Sequence, residues 1–128
     1  MDASFRIESI LHSTLIVQEL AVSLRFYRDV LGLALDESRP DLGYPGAWLQ
    51  VGPQQVHLME LPNPDPRTGR PEHGGRDRHT ALAVSDVNAL QVRLEEAGYS
   101  CTRSKSGRPA LFTRDPDGNA LEFIEINQ

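Results

Sequence analysis

Apolar and polar positions alternate over residues 7–18, where β-branched Ile7, Ile10, Thr14, Ile16 and Val17 favour an extended chain. With a period of two, His12, Thr14 and Ile16 share one face of that strand, and Leu11, Leu15 and Val17 share the other. The period then lengthens. Val22, Phe26 and Val30 recur at four-residue spacing with Tyr27 and Leu31 beside them, which predicts a helix over 21–31 ended by Gly32. Leu33-Ala34-Leu35 opens a second strand, and the Pro and Gly of 39–45 make a loop. Residues 46–51 and 54–61 read as a hairpin through Gly52-Pro53. In its second arm Val56, Leu58 and Glu60 face one way, and His57, Met59 and Leu61 the other.

Residues 62–77 break the pattern. Pro62, Pro64, Pro66 and Pro71 with Gly69, Gly74 and Gly75 predict an irregular connector, one that also carries Arg67, Arg70, His73 and Arg76. The order then repeats. A strand at 78–84 leads to Asp86 as a helix cap, a helix through Leu90 and Leu94, Gly98 as its stop, and a short strand at 99–103. A polar loop at 104–109 precedes a hairpin, 109–113 with 120–126, around Asp115-Pro116-Asp117-Gly118-Asn119. Laying His12 on His79 places Ser13 on Thr80, Leu15 on Leu82, Val17 on Val84 and Glu19 on Asp86. Each half therefore reads strand, helix, then three strands, an α+β unit present twice.

Composition narrows the chemistry. At 128 residues the chain can bury a core without staples, and its net charge of -5 argues against nucleic acid as partner. Cys101 is the one cysteine, so an intrachain disulfide is ruled out and a reducing, cytoplasmic setting is expected. No run approaches the ~20 apolar residues of a membrane span. The first residues have no apolar core of the signal-peptide kind.

Two acids stand out because they sit in apolar strands: Glu60 near the end of the first half and Glu122 near the end of the second. Added to His12 and His79, they make two imidazoles and two carboxylates, one of each per repeat. Such a set suits a divalent Zn, Ni, Co, Mn or Fe(II) ion better than Cu(I) or Ca. A symmetric core of His–Glu hydrogen bonds without metal is the plainer alternative. His57 has the wrong parity to join Glu60 and reads as outward-facing. His73 in the connector, and Lys105 and Arg108 in the polar loop, are candidates to hold an anionic substrate. Trp48 either packs in the core or walls a pocket.

The motifs Leu11-His12, Phe26-Tyr27-Arg28-Asp29-Val30-Leu31-Gly32-Leu33, Met59-Glu60-Leu61, Arg78-His79-Thr80-Ala81-Leu82 and Asp115-Pro116-Asp117-Gly118-Asn119-Ala120-Leu121-Glu122-Phe123 span nearly the whole chain. In them the chain resembles the vicinal oxygen chelate superfamily, in its glyoxalase I-like branch. The resemblance implies one domain over 1–128, with βαβββ modules at 7–61 and 78–128 forming a curved, barrel-like mixed sheet with outer helices. It implies metal ligands His12, Glu60, His79 and Glu122, with Glu122 the principal base and Glu60 its counterpart. It also implies a homodimer, and a lyase or isomerase that moves a proton through a metal-bound enediolate, with glutathione as a co-substrate. Ile16 and Pro64 stand where glyoxalase I has glutathione-anchoring Arg and Asn. Extradiol Fe(II) dioxygenases, epimerases, fosfomycin-modifying transferases and the non-enzymatic bleomycin-binding proteins share the scaffold.

Overall fold

A computed structural model describes residues 4–126; residues 1–3 and the last two residues of the second expected module lie outside the described part. The strands are β1 (His12–Val17), β2 (Ala34–Leu35), β3 (Gly46–Val51), β4 (Gln54–Glu60), β5 (His79–Val84), β6 (Cys101–Arg103), β7 (Ala110–Arg114) and β8 (Ala120–Glu125). The helices are α1 (Leu20–Leu24) and α2 (Val87–Glu96). The strands form two four-stranded mixed sheets, ordered β1-β4-β3-β2 and β5-β8-β7-β6. In each sheet the strand before the helix runs parallel to the last strand of its repeat, and the remaining pairs are antiparallel. The α+β duplication is as expected. The two sheets remain separate and do not close into one barrel.

The first helix departs from expectation. Instead of one α-helix over 21–31, α1 ends at Leu24 and the chain continues as a π-helical stretch, Arg25–Val30. The Leu31 amide reaches back five residues to the Phe26 carbonyl at 2.9 Å, which is the π pattern. The wider turn sets both Phe26 and Tyr27 wholly inside. Gly32 and Gly98 then end the two helical segments at φ 77° and 91°, a conformation that L side chains avoid.

One core serves both repeats. Val17, Leu49, Val56 and Leu58 of the first sheet meet Leu111, Leu121 and Phe123 of the second, with Phe26, Tyr27, Val87 and Leu94 between. Each large side chain buried this fully contributes on the order of 1.5–3 kcal/mol. The turn between β7 and β8 locks the seam. Tyr27 Oη donates to Asp115 Oδ2 at 2.7 Å, the Gln18 amide donates to Asp117 Oδ1 at 2.9 Å, and Asn119 Nδ2 donates to the Ile16 carbonyl at 3.2 Å. Burial raises the Asp115 carboxyl against the pull of its hydrogen bonds, and burial followed by the Asp115 charge pushes the Tyr27 phenol well above its usual range. Where the repeats meet edge to edge, Ser13 Oγ lies 3.1 Å from Thr80 Oγ1, so the two residues overlaid by the sequence repeat touch each other.

The connector is irregular apart from one 3₁₀ turn, Gly74–Arg76. Gly74 is packed over the second sheet, where an added Cβ would stand 3.4 Å from Ala120 Cβ and 3.5 Å from Phe112 Cβ.

Candidate functional site

With its helix side committed to the core, each sheet has an outer face, and the pairing registers decide what lies there. In the first sheet His12 pairs with Gln55, Thr14 with His57, Ile16 with Met59 and Val17 with Glu60. In-register neighbours share a face. His12 therefore lies with Gln55 and His57 on the outer face, whereas Glu60 lies with buried Val17 on the helix side. This corrects the expectation that Glu60 converges with His12. Glu60 Oε2 instead accepts the first amide of α1, Leu20 N, at 2.8 Å. The Glu19 side chain, at the cap position, makes no capping bond there.

The outer face of the first sheet is a ladder of flat rings. His12 and His57 stack with centroids 3.9 Å apart and planes at 13°, and Trp48 stacks on the far side of His57 at 4.7 Å and 12°. Trp48 is thus outside the core. His57 Nε2 donates to Gln55 Oε1 at 2.8 Å, and Gln55 Nε2 donates in turn to Asp36 Oδ2 at 2.8 Å. Partial burial, followed by the neighbouring His12 charge, lowers the His57 imidazole below its usual range and keeps it neutral at pH 7.

The second sheet brings His79 and Glu122 into contact. They are diagonal neighbours on the outer face, with His79 Nε2 3.2 Å from Glu122 Oε1. Glu122 is only 4% exposed, and its other oxygen accepts from Arg108 Nη2 at 3.1 Å. Phe112 stands edge-on to His79 at 5.3 Å and to His73 at 4.7 Å. His73 Nδ1 lies 3.1 Å from Thr102 Oγ1, and His73 and Lys105 line a cavity of about 510 Å³ beside the site. Arg108 thus reaches the carboxylate itself, while His73 and Lys105 border the adjoining space.

The orientation of His79 is fixed by its anchor. Its Nδ1 lies 2.8 Å from the Asp77 carbonyl oxygen, which can only accept, so Nδ1 donates there and Nε2 is the nitrogen turned to Glu122. Asp77 itself was not singled out by sequence. Its carboxylate accepts from Arg114 Nη1 at 2.8 Å, Arg70 Nη1 at 3.1 Å and the Arg78 amide at 2.9 Å. Those bonds, Arg114 foremost, hold its pKa at about 2 and pin the chain just before His79.

His12 and His79 border one cleft of about 490 Å³ along the meeting edges of β1 and β5. Among the described residues of a single chain, no three His, Cys, Asp or Glu side chains gather closely enough to hold a metal ion. The chain instead brings together two separate pairs, His12 with His57 and His79 with Glu122. The signal that reveals this pairing is in the sequence. His57 and Glu60 are three residues apart, as are Glu122 and Glu125.

Comparison with known proteins places the chain among relatives of this architecture. A family model described as the Glyoxalase/Bleomycin resistance protein/Dioxygenase superfamily matches residues 9–123. A lactoylglutathione lyase of Haemophilus influenzae is 34% identical over 125 residues, covering 91% of each chain. The uncharacterized protein YaeR of Escherichia coli is 32% identical over 127 residues, covering 89% of this chain and 93% of that one. Among solved structures, a glyoxalase family protein from Bacillus anthracis superposes with a TM-score of 0.79 at 21% identity, over 98% of this chain and all of that one.

Proposed function

The chain belongs to the glyoxalase/bleomycin resistance protein/dioxygenase superfamily, and on that premise we propose that it is a metal-dependent lyase or isomerase of the glyoxalase I type. Its substrate would be a small, oxygenated, anionic molecule. The lactoylglutathione lyases among its relatives support a glyoxalase-type activity. One observation carries the metal part of the reading. His79 Nε2 and the buried Glu122 Oε1 stand 3.2 Å apart, an imidazole nitrogen and a carboxylate oxygen turned to one point where a shared proton or, as proposed, a cation holds them together.

The donor set fits a metal. An imidazole nitrogen and a carboxylate oxygen are donors that a divalent ion of the Zn, Ni, Co or Mn kind accepts, and His79 and Glu122 present one of each. The anchoring of His79 through Nδ1 to a backbone carbonyl is the usual support for a metal-bound imidazole. His79 and Glu122 would hold the ion from one side and His12 from the other, and the ion would supply Lewis-acid polarisation of the substrate oxygens. Glu122 is the general base. It takes a proton from the carbon next to a carbonyl and returns it to the neighbouring carbon, so the product is an isomer. Arg108, Lys105 and His73 supply positive charge and hydrogen-bond donors beside that carboxylate, in keeping with an anionic substrate. No membrane-crossing helix is present among the described residues.

A second copy of the chain is the proposed means of joining the two pairs. Four of the exposed large apolar residues, Phe5, Ile7, Ile10 and Leu11, cluster in the segment leading into β1. β1 pairs with β4 on one side and its other edge meets β5 of the same chain, so the proposed contact rests on the apolar segment that precedes it.

The test is turnover of methylglyoxal with and without glutathione, after loading with Ni, Co, Zn or Mn. Metal-dependent conversion to the hydroxyacid or its thioester is expected. An absence of turnover with every metal rejects the glyoxalase activity and leaves the fold assignment standing.

A further inference from the structure

The internal repeat assigns a different fourth donor from the one suggested by sequence. In the first sheet the residues opposite His12, Thr14 and Val17 are Gln55, His57 and Glu60. In the second, those opposite His79, Ala81 and Val84 are Ala120, Glu122 and Glu125. Since His12 and His79 occupy the same place in their strands, His57 is the counterpart of Glu122, and Glu60 is the counterpart of Glu125. The hydrogen bonds follow the same equivalence. Glu60 accepts from Leu20 N at 2.8 Å, and Glu125 accepts from Val87 N at 3.0 Å, so each caps the first amide of its own repeat's helix. The aromatic neighbours agree as well, because Trp48 pairs with His57 as Phe112 pairs with Glu122.

Resting on the metal-site reading above, we propose that His57 is this chain's fourth metal ligand, giving a shell of three imidazoles and one carboxylate: His12, His57, His79 and Glu122. Two observations beyond the register support it. His57 lies next to His12 on the outer face, with the rings 3.9 Å apart. Its Nε2–H is held by Gln55 Oε1, itself steadied by Asp36, so the other ring nitrogen carries the lone pair. His79 is prepared in the same way by the Asp77 carbonyl. His57 and His79 thus each have one nitrogen anchored and the other left for a ligand bond.

The consequence is chemical. With a divalent ion, one carboxylate leaves a single positive charge in the site where two would cancel it, which strengthens the hold on an anionic substrate. It also leaves Glu122 as the sole carboxylate base at the metal.

The experiment loads the full-length protein with Co(II), measures affinity by competition with a chelating dye, and counts hyperfine-shifted, exchangeable imidazole N–H resonances by proton NMR. Wild type is expected to show three such resonances. His57→Glu should keep the metal and show two. His57→Ala should weaken Co(II) binding at least tenfold, and Glu60→Ala should leave affinity within twofold with all three resonances present. Circular dichroism melting checks that each variant folds, and His57→Glu carries the test if His57→Ala does not. Wild-type binding with only two imidazole resonances, or a tenfold loss in folded Glu60→Ala, overturns the assignment of His57 while the metal reading stands. A wild-type protein that takes up no Co(II) overturns both.

Discussion

The two repeats share one backbone plan and present opposite chemistry on their outer faces. The first carries a ladder of stacked rings, Trp48, His57 and His12, open to solvent at His12. The second carries a buried carboxylate clasped between His79 and Arg108, with the connector's Gly74 packed against the sheet nearby. Duplication accounts for the likeness, since strand order, register and helix capping agree between the halves. The difference lies in single substitutions at equivalent positions, His57 against Glu122 and Trp48 against Phe112. In the proposed reaction labour is divided between the faces: the first supplies imidazole donors, and the second supplies the group that moves a proton.

That division makes Glu122 the residue with no substitute. Glu122→Gln keeps the shape and one acceptor but removes the base, so turnover of the proposed substrate should fall about 10²–10⁴-fold. Co(II) binding and the melting temperature, measured on the same preparation, separate the roles. Metal retained with turnover lost identifies a base, whereas metal lost identifies chiefly a ligand. Turnover within threefold of wild type would break the comparison, because the second face would then lack the special role assigned to it.

The faces also differ in how their histidines are held, through a side-chain amide for His57 and through the backbone of Asp77 for His79. Asp77 titrates at about 2, below the ordinary 3.8, because Arg114 and Arg70 favour its charged form. A carboxyl depressed on folding adds stability that is fully present above about pH 4 and is lost as pH falls through the folded value. Asp77→Asn should therefore cost on the order of 1–2 kcal/mol at pH 7, solvent screening included, with the difference from wild type closing between pH 4 and pH 2. Urea denaturation across that range checks it. A constant difference at every pH would place the contribution in packing instead.

Much of this was legible in sequence. The strand periods, both glycine stops, the irregular connector and the Asp115–Asn119 turn could be read from spacing alone, because each depends on neighbours close in the chain. The π-helical stretch was not, since an apolar stripe of Val22, Phe26 and Val30 looks the same whether the turn closes at four residues or five. The opposite parity of Glu60 and His57 within β4 is also plain from the alternation. Apart from the matching spacing of His57 to Glu60 and Glu122 to Glu125, no pattern told which β4 residue stands beside His12. That depends on pairing with a strand some forty residues away, and a parallel register fixes it only once the chain is folded. Taking the acid in the first repeat as the partner of the acid in the second was a match of residue type, and the fold matches positions.

The smallest expected effect tests that match most directly. If Glu60 and Glu125 are equivalent helix caps, Glu60→Ala and Glu125→Ala should each lower stability by about 0.5–2 kcal/mol, the usual range for a lost cap. Their effects should add in the double variant, because each serves a different helix. Equilibrium urea unfolding gives all three values. Neither change touches the outer faces, so the contrast between the ring ladder and the clasped carboxylate should be unaffected. A Glu60→Ala variant as stable as wild type would remove the capping role and, with it, the physical reason for an acid on the helix side of β4. The two repeats would then differ in their buried architecture as well as in their outer faces.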